Sequence, residues 1–208
     1  MNYIEEINYR NQLLQRKING GKISPEEKLW LETHPVYNQI LGFPYLNRDI
    51  IQLKANGYYR VRIGVESRLV SERIHPIISV PGKKGSILVK NELFDCYGNK
   101  VAIRPVKVLG VLYNQDSTNA EFIYRSNLGL LEISYQCEFF DERMRCIRRE
   151  SSNTGNTMFA MLREKIADNK LRYRCKFPNN QDYNSYVFFV EWSEIDSKEA
   201  RRKRQKTD

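Results

Sequence analysis

Leu171-Arg172-Tyr173-Arg174-Cys175-Lys176-Phe177 alternates apolar and cationic side chains along the chain. A β-strand sends successive side chains to opposite faces of its sheet. If this stretch is extended, its odd-numbered residues face a core, and Arg172, Arg174 and Lys176 face away from it. The stretch therefore predicts a half-buried strand in a sheet whose other face is basic.

Other stretches repeat this pattern or carry further strand signals. Arg60-Val61-Arg62 and Arg143-Met144-Arg145 alternate in the same way. The turn at 95–99 indicates a hairpin, and Pro76 suits a strand at the edge of the sheet. Besides 171–177, strands are predicted at 58–65, 74–80, 86–93, 100–112, 121–125, 130–140, 144–149 and 185–192.

Two helices are predicted before the sheet. Residues 3–19 place Tyr3, Ile7, Leu14 and Ile18 near one helical face, and two glycines follow. Ser24 then stands where an N-cap is expected, with Pro25 in the first turn and Glu27 as the acid of a capping box. This second helix is expected to stop before Pro35, because the residue before a proline avoids the α region.

The two helices would form a hairpin too small to bury a core of its own. Ile7, Leu29 and Trp30 are therefore expected to pack on the rest of the chain or on a partner. A third helix is predicted at 157–168, where Met158, Met161, Leu162 and Ile166 recur at helical spacing.

The order of elements predicts an α+β fold. We expect an N-terminal helical hairpin followed by a mainly antiparallel β-sheet or small sandwich, with one helix near the C-terminus. The predicted parts are a helical hairpin and linker at 1–54, a β-rich domain at 55–195 and a basic disordered tail at 196–208.

The hairpin at 131–149 allows a register to be predicted. If Asp141 and Glu142 form the turn, residues whose numbers sum to 283 face each other. Glu138 is then opposite Arg145, an opposite-charge pair that favours this register. Cys137 is opposite Cys146, and we expect both to be reduced thiols in the core.

The net charge of +9 is concentrated in two parts of the sequence. Residues 55–112 hold 10 basic and 4 acidic groups, and residues 196–208 hold 6 and 3. Such asymmetry favours a polyanionic partner, although a basic surface can also serve solubility alone. The candidate contacts are Arg60, Arg62, Lys83, Lys84, Arg172, Arg174, Lys176, Arg201, Arg202, Lys203 and Arg204.

The sequence shows no catalytic or metal-binding motif. His34 and His75 both precede prolines, and the four cysteines have no CxxC spacing. We therefore expect no metal, no cofactor and no disulfide framework. Without a signal peptide or a long apolar run, the sequence predicts a cytoplasmic protein with no membrane partner, or a nuclear one in a eukaryotic cell.

The leading hypothesis is a binding protein that engages nucleic acid, or a nucleic-acid-bound or acidic protein, through a basic sheet face and tail. It would act by occupancy. Two alternatives stay open: an enzyme acting on a phosphate-containing substrate, such as a nuclease, and a protein–protein scaffold or inhibitor. One continuous basic face would favour the first, a mixed-charge cleft the enzyme, and scattered charge with an exposed apolar patch the scaffold.

Overall fold

A computed structural model describes residues 2–37, 45–68, 73–80, 85–89, 92–95, 119–140, 146–151, 159–176, 183–184 and 186–205. Helices within these ranges are α1 Tyr3–Ile18, α2 Pro25–Thr33 and α3 Ser197–Gln205. Strands are β1 Val36–Tyr37, β2 Tyr45–Gln52, β3 Tyr58–Arg68, β4 Arg73–Ser79, β5 Gly85–Val89, β6 Glu92–Asp95, β7 Asn119–Ser126, β8 Leu130–Phe140, β9 Cys146–Ser151, β10 Ala160–Ala167, β11 Lys170–Lys176 and β12 Tyr186–Ile195. None of the helices in the described part is long and apolar enough to cross a membrane.

The strands form one antiparallel sheet that curls into a half-barrel, so the fold is of the α+β class. Its order is β4-β8-β2-β10-β11-β12-β3-β7-β5-β6, with β1 beside β2 and β9 beside β8. The strands predicted at 58–65, 121–125, 130–140, 171–177 and 185–192 correspond to β3, β7, β8, β11 and β12. β4, which contains Pro76, stands at the end of this order, as predicted for an edge strand.

The inner face of the half-barrel wraps an apolar core. Val61, Ile133, Tyr173 and Phe188 come from four different strands, and all are fully buried in this core. The curl is closed by Tyr124 of β7, whose hydroxyl donates a hydrogen bond to the Leu130 carbonyl of β8. Strands from both ends of the sheet order therefore contribute to one core.

A glycine extends the pairing of β2 with β8 beyond the aligned residues Gln52 and Leu130. Gly129 lies just before β8 at φ +66°, and its carbonyl accepts a hydrogen bond of 2.6 Å from the amide of Leu53. A Cβ atom at this position would lie 2.3 Å from the Leu53 carbonyl oxygen. Both the left-handed backbone and the close approach therefore require glycine here.

The helical hairpin lies against β2, where two arginines hold the end of α2. Arg48 of β2 donates hydrogen bonds to the carbonyls of His34 and Leu31, at 2.6 and 2.9 Å. Arg10 of α1 donates to the same two carbonyls, at 3.2 Å each. These carbonyls lack helical partners, so the guanidinium groups satisfy them and interact favourably with the helix dipole. Burial and the neighbouring Arg48 lower the pKa of Arg10 to about 10.

The predicted starts of the hairpin helices are confirmed, but three residues of the predicted apolar face of α1, Tyr3, Leu14 and Ile18, are exposed. α2 has the expected capping box between Ser24 and Glu27, and α1 has one between Asn2 and Glu5. α1 instead packs through Leu13, which is fully buried. Tyr9 and Arg10, which contact the Trp30 ring and the end of α2, lie on the same side of the helix as Leu13.

The predicted helix at 157–168 is wrong, because residues 160–167 form β10. This strand pairs with β11 through a tight turn at Asp168-Asn169, and Met161 is aligned with Cys175 across the ladder. Ile166, which a helix would have buried, is exposed. Helical spacing over so few apolar residues was weaker evidence than the turn that follows them.

Other expectations also need correction. Residues 86–93 are not one strand but β5 and β6, which pair across 90–91. The predicted strand 100–112 lies outside the described residues. The disordered tail is replaced over 197–205 by α3, and the predicted linker contains β2, which lies inside the sheet. The division into 1–54, 55–195 and 196–208 remains a prediction.

The predicted register of the β8–β9 hairpin is also wrong. Cys137 is aligned with Glu150 and Gln136 with Ser151, so the paired numbers sum to 287. The connection is longer than the predicted turn, and an irregularity follows Phe139. Cys137 is buried and forms no disulfide, but the other such cysteine in the described part is Cys175, whose pKa is raised by burial and by the nearby Cys137.

Candidate interaction surface on the outer face of the sheet

The outer face of the sheet is the side turned away from the core, and it carries the cations that the alternating pattern predicted. Val61 and Ile63 of β3 are buried, so Arg60 and Arg62 point outward between them. On β11, Tyr173 and Cys175 are buried in the same way. The alternation therefore placed these arginines on the correct face.

Carboxylates lie among the cations along the rows that cross the strands. One row runs Lys170, Glu191, Arg62 and Glu121 across β11, β12, β3 and β7. Each residue in this row is aligned with residues of opposite charge. Opposite charges on facing strands stabilise a sheet modestly, by about 0.2–1 kcal/mol a pair.

The two arginines of β11 are held by carboxylates of other strands, Glu164 of the adjacent β10 and Glu66 of β3, which lies beyond β12. Arg172 Nε lies 2.7 Å from Glu66 Oε2 and its Nη2 lies 3.2 Å from Oε1, which makes a two-point contact. Arg174 Nε lies 2.6 Å from Glu164 Oε1, and its Nη1 donates to Asn184 at 2.7 Å. The hydrogen bond to Glu66 also raises the pKa of Arg172. β11 is therefore not part of a continuous basic face.

An aromatic ring in this region is covered by cations. Lys170 Nζ lies 4.0 Å from the centroid of the Phe189 ring, and the Arg62 guanidinium carbon lies 5.5 Å from it. Such contacts stabilise a cation by about 0.5–1 kcal/mol at exposed sites. Because Phe189 is itself buried, it does not offer an open ring for stacking.

α3 packs on the outer face of the sheet, over β3 and β7. Ala200 is buried against Ile123, with Tyr58 and Ile195 around it. Arg60 forms an ion pair with Glu199 of the helix and lies 3.5 Å from Glu121. The helix is also held at its start, where Asp196 accepts from the Glu199 amide at 2.7 Å.

Basic residues dominate the part of the outer face on which α3 packs. The nine residues of α3, SKEARRKRQ, hold five cations and one acid. Lys198 and Arg201 are exposed, and Arg125 of β7 lies with its guanidinium carbon 5.5 Å from the centroid of the Tyr58 ring. We call this region, made of α3 with Arg60 and Arg125, the α3 surface.

The structure brings only some of the predicted contacts together. Arg60 and Arg201 belong to the α3 surface. The cations of β11 do not, because β12 separates β11 from β3 in the sheet. Arg202, Lys203 and Arg204 lie within α3, but their side chains are outside the described part, as are Lys83 and Lys84. Sequence analysis missed Ala200 as an anchor, Arg125 as a neighbour, and Glu66 and Glu164 as partners of the arginines.

A second polar cluster lies on the inner side of the sheet. Asp49 of β2 is fully buried, and its carboxylate accepts hydrogen bonds from Arg163 at 3.0 Å and from the Tyr173 hydroxyl at 2.8 Å. Burial, with the adjacent carboxylate, holds the pKa of Tyr173 well above its usual value. Both carboxylate oxygens have partners, so this cluster joins three strands as a structural ion pair.

No group of three His, Cys, Asp or Glu side chains in the described ranges is arranged to hold a metal ion. Comparison of the chain with protein-family models, with curated proteins and with solved structures gave no match. The α3 surface is therefore the feature of the molecule from which we infer a function.

Proposed function

We propose that the protein binds nucleic acid through the α3 surface and acts by occupancy rather than by catalysis. The observation that carries the proposal is the anchored basic helix: five cations on nine residues, held on the sheet by Ala200 and by the Arg60–Glu199 ion pair. The proposal places the protein in the cytoplasm, or in the nucleus if the cell is eukaryotic.

Anchoring matters because it reduces the entropy lost on binding. A disordered basic tail must be ordered when it meets a phosphate backbone, whereas a docked helix already holds its charges in place. Each cation that neutralises a phosphate releases condensed counterions, and this release drives the association. Lys198 and Arg201, which are exposed on α3, are the contacts that we assign first.

The cations of β11 receive a smaller role in this proposal. Arg172 and Arg174 already interact with Glu66 and Glu164. A phosphate would have to compete with these carboxylates, so the energy gained from it would be reduced. Arg62 is exposed but is aligned with Glu191 and Glu121, so the same argument applies to it.

Binding of labelled single- and double-stranded DNA and RNA, measured by fluorescence anisotropy, tests the proposal. We expect the logarithm of the affinity to fall linearly with the logarithm of salt between about 50 and 200 mM, with a slope of about −0.7 to −0.9 per phosphate contacted. Lys198→Gln with Arg201→Gln should reduce the affinity about tenfold at low salt, since two phosphate contacts are lost.

The matched control is Arg172→Gln with Arg174→Gln, which removes the same charge from β11. It should weaken binding by less than about threefold if those cations are already paired. Equal losses from both pairs would show that net charge alone controls binding. Absence of binding to all four nucleic acids at low salt would overturn the proposal.

The two alternative functions differ in their support. The described residues show no carboxylate and histidine cluster in a cleft, so no observation favours the phosphate enzyme. The protein–protein alternative is supported by an exposed apolar face on the N-terminal hairpin.

A further inference from the structure

Asn56 and Gly57 lie in the turn between β2 and β3, beside the α3 surface. Asn56 is exposed and has φ +61°, and the Gly57 amide donates a hydrogen bond of 3.1 Å to the Lys54 carbonyl. Asparagine tolerates this left-handed conformation, and glycine has no side chain to shield its own backbone nitrogen. The turn therefore places an exposed asparagine side chain next to an unhindered backbone nitrogen.

Arg125 of β7 binds the side chain of Asn56. Its Nη2 donates a hydrogen bond of 3.2 Å to Asn56 Oδ1. Backbone pairing keeps the two residues together, because Arg125 is aligned with Tyr58 and the Asn56 amide donates a hydrogen bond of 2.8 Å to the Ser126 carbonyl. A cation is therefore held on the amide oxygen of Asn56.

A cation in this position stabilises the negative charge that forms when a nucleophile attacks the side-chain amide. Attack of the Gly57 nitrogen on Asn56 Cγ moves an electron pair of the C=O bond onto Oδ1, the oxygen that Arg125 contacts. Donors already placed on a developing oxyanion lower the barrier of acyl transfer, because they need no reorganisation during the reaction. Asn56 thus supplies the acyl group, Gly57 the nucleophile and Arg125 the electrostatic stabilisation.

We propose that Asn56 deamidates spontaneously through a cyclic imide with Gly57, that Arg125 promotes the reaction, and that the product weakens the α3 surface. A bond forms between the Gly57 nitrogen and Asn56 Cγ, the Cγ–Nδ2 bond breaks, and ammonia leaves with the proton that Gly57 loses. Water then opens the imide and leaves aspartate or isoaspartate at position 56. The net reaction converts an amide and water into a carboxylate and ammonium.

Ring closure requires a local change in the turn. Asn56 must leave its left-handed conformation, and Gly57 must release the Lys54 carbonyl. Exposed turns open at lower free energy than the strands that they connect, so these changes do not require the sheet to unfold. The reaction is therefore slower in the folded protein than in an unfolded chain, but the folded protein also holds Arg125 on the reacting amide.

The effect on the α3 surface rests on the nucleic-acid binding proposed above. A carboxylate in place of the Asn56 amide lies within hydrogen-bonding distance of Arg125 and pairs with it through a charge-assisted bond. Arg125 is then less available to a phosphate, and the formal net charge of +9 falls by one. The affinity for nucleic acid should fall about threefold at low salt, as expected for the loss of one phosphate contact.

Peptide mapping of the full chain, during incubation at mildly alkaline pH, tests the reaction. Trypsin releases Asn56 in peptide 55–60 and Asn19, which is also followed by glycine, in peptide 18–22. Asn19 is the internal reference, since it is exposed at the end of α1 and no cation binds its side chain within the described residues. Asn56 should lose its amide several times faster than Asn19 in the folded chain and at a similar rate in concentrated urea. Arg125→Gln should lower the ratio of the two rates in the folded chain.

Two results of the peptide mapping would overturn the proposed reaction. One is a folded parent chain in which Asn56 deamidates no faster than Asn19, and this result does not depend on how any substitution affects the fold. The other is an Arg125→Gln variant in which the ratio of the two rates equals that of the parent. Neither measurement involves nucleic acid, so both are independent of the proposed function.

Fluorescence anisotropy with Asn56→Asp tests the effect on the α3 surface. This variant should bind nucleic acid about threefold more weakly than the parent at low salt. Asn19→Asp makes the same change in charge at the end of α1 and should bind like the parent. Equal losses in the two variants would overturn the role of the Arg125 contact in binding. A parent chain that binds no nucleic acid would overturn the proposed function, whereas the peptide masses would still decide whether Asn56 deamidates.

Discussion

The Tyr173 hydroxyl of β11 donates a hydrogen bond of 2.8 Å to the fully buried Asp49 carboxylate of β2. These strands are separated in the sheet by β10, which supplies Arg163 to the same carboxylate. Three strands that are adjacent in the sheet, β2, β10 and β11, are thereby linked through the Asp49 carboxylate. A buried carboxylate that loses a partner retains its desolvation cost, so the cluster should be sensitive to single substitutions.

We predict that Tyr173→Phe lowers the free energy of unfolding by about 1–3 kcal/mol, because one carboxylate oxygen loses its hydrogen bond while it stays buried. Urea unfolding followed by circular dichroism measures the change. Tyr183→Phe is the control, since its ring stacks on Tyr45 at the surface end of the sheet and should change stability by less than about 0.5 kcal/mol. Equal effects would show that Asp49 does not need the Tyr173 hydroxyl.

A second prediction concerns His34 and pH. The His34 ring stacks on Trp30 at 4.3 Å, and its Nδ1 lies 3.0 Å from the Trp30 carbonyl oxygen. Burial lowers the pKa of His34, and the charges of Arg10 and Arg48 lower it further. The Trp30 carbonyl and Glu6 act in the opposite direction.

The folded state therefore binds a proton at His34 less readily than the unfolded chain does. The free energy of unfolding therefore contains a favourable contribution from the neutral His34 ring. This contribution is fully present above the ordinary histidine pKa of about 6.5, and it is lost as the pH falls through the lower pKa of His34 in the folded state. Urea midpoints measured between pH 7.5 and 5 should decrease, and His34→Gln should remove part of that decrease. A variant with the same pH profile as the parent would show that His34 is not responsible.

The sequence predicted the outward arginines well, because strand alternation is a local property. It could not predict that Arg172 meets Glu66, since the two residues are 106 positions apart and their contact requires β12 to lie between β11 and β3. The α3 surface could not be predicted from the sequence for a different reason. Its anchor is the single residue Ala200, and one alanine in a charged stretch gives no sequence signal of burial.

The helix predicted at 157–168, where the structure has β10, was wrong for a third reason. Its apolar residues fit a helical period over a short stretch, and a stretch of that length does not distinguish helix from strand. The Asp168-Asn169 pair was the better evidence, since aspartate and asparagine are common turn residues. The β8–β9 register was wrong because the connection is longer than the two residues assumed, and turn length fixes the register.

The pairing of the β11 arginines leads to a third prediction. Glu66→Gln with Glu164→Gln should release Arg172 and Arg174 from their carboxylates. If nucleic acid reaches β11, its affinity at low salt should rise about three- to tenfold. The slope of the logarithm of affinity against the logarithm of salt should become steeper by the equivalent of about one to two phosphate contacts. Glu26→Gln with Glu32→Gln, on α2, controls for the same change in net charge. An equal rise in both variants would show a general charge effect rather than released arginines.

The last prediction separates an anchored helix from a basic tail of the same composition. Ala200→Asn keeps every charge of α3 but places an amide against Ile123 and Tyr58, at a cost of about 1–3 kcal/mol to the docked helix. Trypsin should then cleave at Arg201 faster than in the parent chain, because an undocked segment is more accessible. Nucleic-acid affinity should fall about three- to tenfold, since the released segment must be ordered again on binding. Ala167→Asn, the same substitution at an exposed position of β10, three strands away from β3 in the sheet, should leave both measurements at the parent values. If Ala200→Asn speeds cleavage without weakening binding, the basic composition of the segment is sufficient, and the anchor on the sheet serves stability alone.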